Sequence, residues 1–328
     1  MSQPDGWRYL HRYLAPLGPL LSRDDVTDLY INRPGEVWAE TLGGRIERHD
    51  LPAIDEPILE RLARQIAAWS HQGINREHPL LSAALPDGAR VQIVAPPASA
   101  RHWAVAIRRH LAADLSLDDY AANGAFATTS VDDAGSRSDE DDTIADFLAR
   151  GATAAALRQA VLGRRNILVS GGTSTGKTTF LSALLREIPS DERLITIEDT
   201  PELQVRHANA VRLLAVRGAL GEAQVSADDL VSASLRMRPD RIILGELRGP
   251  EAYAFLRAVN TGHPGSMTTI HADSTEGAVE QLALLILQGG TRLGRQDIRD
   301  YVRATIGLYV QLARRGGRRY VAEVRQWK

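Results

Sequence analysis

The chain has 328 residues, a formal net charge of -2, and a composition ordinary for a globular protein, with 44% hydrophobic and 24% charged residues. That length supports two domains with substantial cores and gives no case for a fibre or wholesale disorder. The near-neutral balance gives no global attraction to nucleic acid, and the lack of cysteine excludes disulfides, thiolate zinc sites and iron–sulfur clusters, which suits the cytosol. No apolar run approaches the ~20 residues needed to cross a bilayer. The start of the chain lacks the basic-then-apolar pattern of a signal peptide, so a soluble or peripheral protein is expected.

Residues 26–32 and 37–40 read as strands joined by turn residues at 33–36, and 42–45 make the next turn. Leu59, Leu62, Ala63, Ile66 and Ala67 fall on one face of a helix that ends near Trp69, before Gly73. Residues 90–94 and 103–108 supply two more strands, which makes 1–127 a compact α+β amino-terminal domain. Between 128 and 146 the composition turns to Asp, Glu, Ser and Thr, with Asp139, Glu140, Asp141 and Asp142 at its centre. This segment reads as a flexible acidic linker, with a docking strip for a basic partner as the alternative.

From there to the end, 147–328, helix and strand signals alternate, as expected for a parallel sheet covered by helices. Strands are expected at 166–170, 193–197, 241–244 and 266–270. Ser226 with Asp229, and Asp273 with Glu276, carry the signals that open two helices, the second running through Leu287. Its apolar stretch at 282–287 has the length of a buried helix rather than an anchor. Residues 307–312 and 319–324 flank Gly316 and Gly317 as a hairpin. The basic tip at Arg314, Arg315, Arg318 and Arg319 reads as a solvated turn, with a contact point for nucleic acid as the alternative.

The strand at 166–170 runs straight into Gly171, Gly172, Thr173, Ser174, Thr175, Gly176, Lys177, Thr178 and Thr179. This is phosphate-loop spacing: backbone N–H groups and the positive end of a helix face the phosphates of a nucleoside triphosphate. Lys177 can bring a point charge to the β- and γ-phosphates, and the Thr178 hydroxyl can ligate Mg²⁺. Phe180, Leu181, Leu184 and Leu185 recur at helical spacing before Pro189, which meets the strand–loop–helix context the motif requires.

Transfer of a phosphoryl group to water also needs an oriented water and cations against developing charge, and candidates lie at the ends of the following strands. Glu246 ends an apolar strand and is placed to orient or deprotonate water. Glu198 and Asp199 end another and could hold Mg²⁺ through its waters, although 199–202 also has the look of a helix start. His271 sits at the exit of the last strand, where it can hydrogen-bond the γ-phosphate, and His263 stands at its entry. Arg248 and Arg236 are candidates for charge neutralisation across a subunit boundary, with surface ion pairs as the alternative.

Together the loop, ITIEDTPEL at 195–203, PDRIILGELR at 239–248 and TGHPGSMTTIHA at 261–272 resemble the Walker A, Asp box, Walker B and His box of the secretion ATPase superfamily. Within it the chain is most similar to VirB11-like traffic ATPases of type IV secretion and conjugation, with TrbB-type relatives. INRPGEV at 31–37, LPDGARVQI at 85–93 and AIRR at 106–109 extend the likeness through the amino-terminal half. The resemblance implies a RecA-like domain and a homohexameric ring that hydrolyses ATP with Mg²⁺. It also implies docking on channel subunits and a coupling ATPase at the cytoplasmic face of the inner membrane, with no sequence-specific nucleic acid. By the same likeness Glu246 is the catalytic carboxylate, Glu198 serves metal or water, His271 senses the γ-phosphate, and Arg108 with Arg109 reaches nucleotide from the amino-terminal domain. Ser174 departs from the pattern, standing where many relatives have glycine. Other readings that share these motifs are a type II secretion or pilus motor and a nucleotide-gated scaffold; a DNA helicase is a third, against which the weak basic balance speaks.

Overall fold

A computed structural model describes residues 5–42, 44–109, 114–133, 139–216 and 224–327. The chain divides into two compact units, Met1–Ala112 with Val216–Val225, and Ala113–Ala215 with Ser226–Lys328.

The first unit runs α1 (Asp5–Leu14), α2 (Gly18–Leu21), β1 (Val26–Ile31), β2 (Glu36–Thr41), β3 (Ile46–Asp50), α3 (Glu56–Trp69), β4 (Leu80–Ala84), β5 (Arg90–Val94) and β6 (Ala104–Arg108). Its six strands form an antiparallel sheet in the order β3-β2-β1-β6-β5-β4. Alternation decides which face is covered: β5 buries Val91 and Ile93 and leaves Gln92 exposed. The apolar stripe of α3 is buried as its spacing predicts, and Asp55 caps the helix by accepting from the Ile58 N–H at 2.8 Å.

The second unit continues with α4 (Leu117–Ala122), β7 (Ser130–Asp133), α5 (Asp139–Ala149), α6 (Thr153–Leu162), β8 (Ile167–Gly171), α7 (Lys177–Leu185), β9 (Leu194–Glu198) and β10 (Ala210–Leu214). It then runs through α8 (Ala227–Ser234), β11 (Arg241–Leu244), α9 (Glu251–Asn260), β12 (Met267–Ile270), α10 (Thr275–Gln288), α11 (Arg295–Thr305), β13 (Leu308–Arg315) and β14 (Arg318–Gln326). The sheet order is β10-β9-β11-β12-β8-β13-β14-β7. The six strands from β10 to β13 are parallel; β14 returns antiparallel to β13, and β7 lies parallel to β14. Strands β8, β9, β11 and β12 are buried along their whole length, because helices cover both faces. Ile167 and Val169 of β8 join Phe180 and Leu184 in one core layer, while Leu168 joins Phe255 and Leu282 in the other.

Three expectations are corrected. The units divide near residue 112, earlier than 127, because α4 belongs to the second unit, where Leu117 and Tyr120 join its core. The stretch at 128–146 is not a spacer in its described parts. β7 pairs with β14, and Ile144 and Leu148 of α5, one helical turn apart, are buried in the core of that unit. Composition hid them, since the acidic run occupies the start of the same helix; residues 134–138 lie outside the described residues. Finally, α10 is capped by Ser274, whose hydroxyl accepts from the Gly277 N–H at 3.0 Å, rather than by Asp273.

Candidate active site

The loop after β8 is shaped by two glycines for different reasons. A Cβ on Gly171 would come within 2.5 Å of Thr175 Oγ1 and 3.0 Å of the Leu312 carbonyl, so the strand exit admits no side chain. Gly176, at φ 91°, turns left-handed immediately before α7, which aims the first N–H groups of that helix back into the loop. Ser174 takes the same hand at φ 62°. Gly172 has only a 4.0 Å neighbour and is not sterically required.

Lys177 opens α7 and is buried; its ammonium donates to the carbonyls of Gly171 at 3.0 Å and Gly172 at 3.3 Å. It also meets His271 Nδ1 at 3.2 Å. The same ammonium stands 3.5 Å from His271 Nε2, so it faces both ring nitrogens. That Nε2 lies 2.7 Å from Glu246 Oε1. Glu246 Oε2 accepts from Arg248 Nη2 at 2.6 Å, and Arg248 Nη1 stands 3.5 Å from Asp199 Oδ2. The exits of β8, β12, β11 and β9 thus contribute to one chain of groups, Lys177, His271, Glu246, Arg248 and Asp199, at the carboxyl edge of the sheet.

Burial alone would push the Glu246 carboxyl up. The Arg248 hydrogen bond, with the charges of Arg248, His271 and Lys177, outweighs it and holds Glu246 below the ordinary carboxylate value. A carboxylate so held is ionised at neutral pH and is a better acceptor for an oriented water than a strong base.

Glu198 is built differently. Its Oε1 accepts from the backbone N–H groups of Glu202 and Leu203, both at 2.8 Å, and its Oε2 stands 3.4 Å from Arg212 Nη2. Burial raises its pKa, and those three partners only partly offset the rise. The carboxylate pins an irregular segment; residues 199–207 contain no helix, so the helix start considered there does not form. Gly245 makes room, since a Cβ there would approach Glu198 Cγ to 3.2 Å.

The other expected residues separate. Arg236 is exposed beyond the end of α8, at the opposite end of β11 from Glu246. His263 lies at the entry of β12 and bonds the Pro239 carbonyl through Nδ1 at 3.0 Å, so it too is at the far edge. Arg108 and Arg109 belong to the first unit. Arg109 is engaged by the carbonyls of Arg23 and Val26, while Arg108 is exposed with Asp28 at 3.9 Å.

Sequence reasoning missed three supporting residues. Gln311 on β13 accepts from Ser170 Oγ at 2.5 Å and donates to the Ala272 carbonyl at 3.3 Å, tying β8 to the segment after His271. Glu251 accepts from the N–H groups of Arg248 and Gly249, at 2.8 and 2.9 Å, and so fixes the turn that carries Arg248. Arg319 on β14 donates through Nε to the Ser174 carbonyl at 3.2 Å. Their spacing carries no motif; only the acidic residue just after Pro250, at a helix start, was legible.

A parallel sheet with a phosphate loop at the exit of an inner strand, and an ionised carboxylate facing the loop lysine through a histidine, defines the class: a phosphate-loop ATPase. The chain belongs to the type II/IV secretion system protein family, whose profile matches residues 12–291. It is 38% identical over 324 residues to the type IV secretion system protein VirB11 of Bartonella henselae, covering 95% of this chain and 91% of that protein. It is 38% identical over 334 residues to PtlH of Bordetella pertussis, covering 98% and 96%. Among solved structures it is similar to the VirB11 ATPase of the Brucella suis type IV secretion system in complex with sulphate. That match has a TM-score of 0.53 and 37% identity, over 96% of this chain and 97% of that one. The pilus retraction motor PilT with bound ADP shares the fold, with a TM-score of 0.59 at 18% identity over 97% and 83%.

Proposed function

We propose that this ATPase powers a type IV secretion or conjugation apparatus as a homohexameric ring, working on inner-membrane channel subunits with a coupling ATPase at the cytoplasmic face. The relatives at this level of identity are type IV secretion proteins, whereas the pilus motor is a likeness of fold alone; that favours type IV secretion over a pilus or type II motor. No helix among the described residues is long and apolar enough to cross a membrane, which agrees with peripheral docking.

The observation that carries the enzymatic reading is the line from Lys177 through His271 to Glu246. In the proposed reaction the loop amides, Lys177 and Thr179 hold the β- and γ-phosphates, and Glu246 orients the attacking water. His271, 2.7 Å from Glu246 and beside the loop lysine, reports the γ-phosphate to the carboxylate. Arg248 holds Glu246 ionised, and Arg108 with Arg109 reaches nucleotide from the amino-terminal unit, as the resemblance implies. Arg236, remote from this cluster, is left only a role toward another subunit.

Mg²⁺ fits the donor set. No group of three or more His, Asp or Glu converges on a metal among the described residues, but Mg²⁺ in nucleotide sites takes most of its ligands from phosphates and water. Thr178, in the first turn of α7, would hold it, and it would supply charge neutralisation at the phosphates. Glu198 fits less well, because its oxygens already serve Glu202, Leu203 and Arg212.

The test is phosphate release by the purified chain beside Lys177→Ala and Glu246→Gln, with particle mass measured with and without ATP. Loss of turnover in both variants and a ring mass support the reading. Unchanged turnover in both would remove the enzymatic part, and a monomer under all conditions would remove the ring.

A further inference from the structure

Glu246 lies just past the end of β11, and the ladder between β11 and β12 stops before it, at Leu244 opposite Thr268. The backbone that carries the acid is therefore beyond the regular sheet and needs hydrogen bonds from elsewhere to hold it in one conformation.

Thr269 supplies two of them. Its hydroxyl donates to the Gly245 carbonyl at 2.8 Å, and its own carbonyl accepts from the Leu247 N–H at 2.9 Å. Those groups belong to the two peptide planes that meet at the Glu246 Cα, so a single residue restrains the rotations on both sides of the acid. On its other side Gly245 donates its N–H to the Ile197 carbonyl of β9 at 2.8 Å. Any residue at 269 could offer the carbonyl; the bond to Gly245 requires a hydroxyl.

The support is itself rigid. Thr269 is 1% exposed and stands opposite Val169 of β8, the strand that runs into the phosphate loop at Gly171. Its branched side chain has restricted freedom at χ1, which fixes the direction of the hydroxyl. Two residues further along the same segment comes His271, whose Nε2 lies 2.7 Å from Glu246 Oε1. One short stretch of β12 thus holds the backbone of the acid and presents the histidine that faces it, while pairing with the strand that leads into the loop.

We propose that Thr269 is a positioning residue, its hydroxyl setting the Glu246 carboxylate where it faces His271 and the phosphate loop. The proposal rests on the reading of Glu246 as the acid that orients the attacking water. Small displacements of such a group are costly, with ~1 Å worth up to about 100-fold in rate.

The test uses the full chain. Thr269→Val keeps the branched shape and removes the hydroxyl, whereas Thr269→Ser keeps the hydroxyl; Thr269→Ala beside Thr269→Ser repeats the comparison without the branch, should the valine variant not fold. Phosphate release, equilibrium binding of a fluorescent ATP analogue and melting temperature are measured for these, for Glu246→Gln, and for Thr269→Val combined with Glu246→Gln. Turnover in Thr269→Val is expected to fall roughly 10- to 100-fold with analogue binding nearly retained, and Thr269→Ser to restore most of it. In the Glu246→Gln background Thr269→Val should lower turnover little further, because the group it positions is already gone. Unchanged turnover in Glu246→Gln removes the role of the acid and this proposal with it. Loss in Glu246→Gln without loss in Thr269→Val overturns this proposal alone. So does a loss that Thr269→Ser shares in full, which assigns the effect to packing, or a double variant in which the two single losses multiply, which places the effect away from Glu246.

Discussion

Arg319 Nε donates to the carbonyl oxygen of Ser174, the residue that carries the phosphate loop through a left-handed turn at φ 62°. A residue with a Cβ pays ~1–2 kcal/mol there that glycine does not. The arginine stem also lies against Gly176, with Cδ 3.3 Å from where a Cβ would stand. One cationic side chain from β14 therefore braces both left-handed residues of the loop.

Ser174→Gly is expected to relieve the strain and raise stability by up to ~1 kcal/mol, read as a higher melting temperature. Arg319→Ala is expected to weaken Mg·ATP binding severalfold in the natural background and clearly less in Ser174→Gly, where the loop no longer needs the brace. Equal losses in the two backgrounds would show that Arg319 does not act through Ser174.

Glu246→Gln keeps the size of the side chain but removes the charge that faces His271 and Arg248. Turnover is expected to fall ~10²–10⁴-fold with nucleotide affinity nearly retained. Lys177→Ala should instead lose affinity, since its ammonium is the buried cation of the loop. Equilibrium binding of a fluorescent ATP analogue beside phosphate release separates the two; parallel losses in both assays for Glu246→Gln would contradict its assigned role.

Because Glu246 is held below its ordinary value of 4.5, it contributes stability that is present above that value and lost as pH falls through the lower folded one. Arg248→Gln removes the strongest group opposing burial, so the carboxyl pKa should rise. The acid limb of the turnover profile is expected to shift upward, toward neutral pH, while the natural chain shows none at or above 4.5 from this group. Identical acid limbs in the two proteins would sink this reading.

Glu198 offers a choice between two roles. If it pins the segment after β9, Glu198→Ala leaves the buried N–H groups of Glu202 and Leu203 without a partner. Stability should then fall by ~1–3 kcal/mol with little change in the Mg²⁺ concentration for half-maximal turnover. A large rise in that Mg²⁺ requirement with unchanged melting temperature would restore a metal role instead.

Several of these features are legible in the amino-acid sequence. The loop at 171–179, the strand–loop–helix context, the inner strands and the candidate acid at 246 are local signals, because turn geometry, strand burial and helix periodicity are set within about ten residues. The core of α5 was not, since Ile144 and Leu148 are outweighed in composition by the acids that begin the same helix, and only packing reveals which face is buried. Nor could spacing show that Arg236 and His263 lie at the opposite sheet edge from Glu246.

The amino-acid sequence by itself determined the class of chemistry, because a glycine-rich turn followed by Lys177 and Thr178 is a contiguous device whose parts act within one loop and one helix turn. The tertiary structure alone decided which residues meet around it. Strand order sets β12 between β8 and β11, so His271 falls between Lys177 and Glu246, and the β13–β14 return brings Gln311 and Arg319 to the loop from over a hundred residues away. Such meetings depend on the order and direction of strands in the sheet, which no short-range pattern encodes.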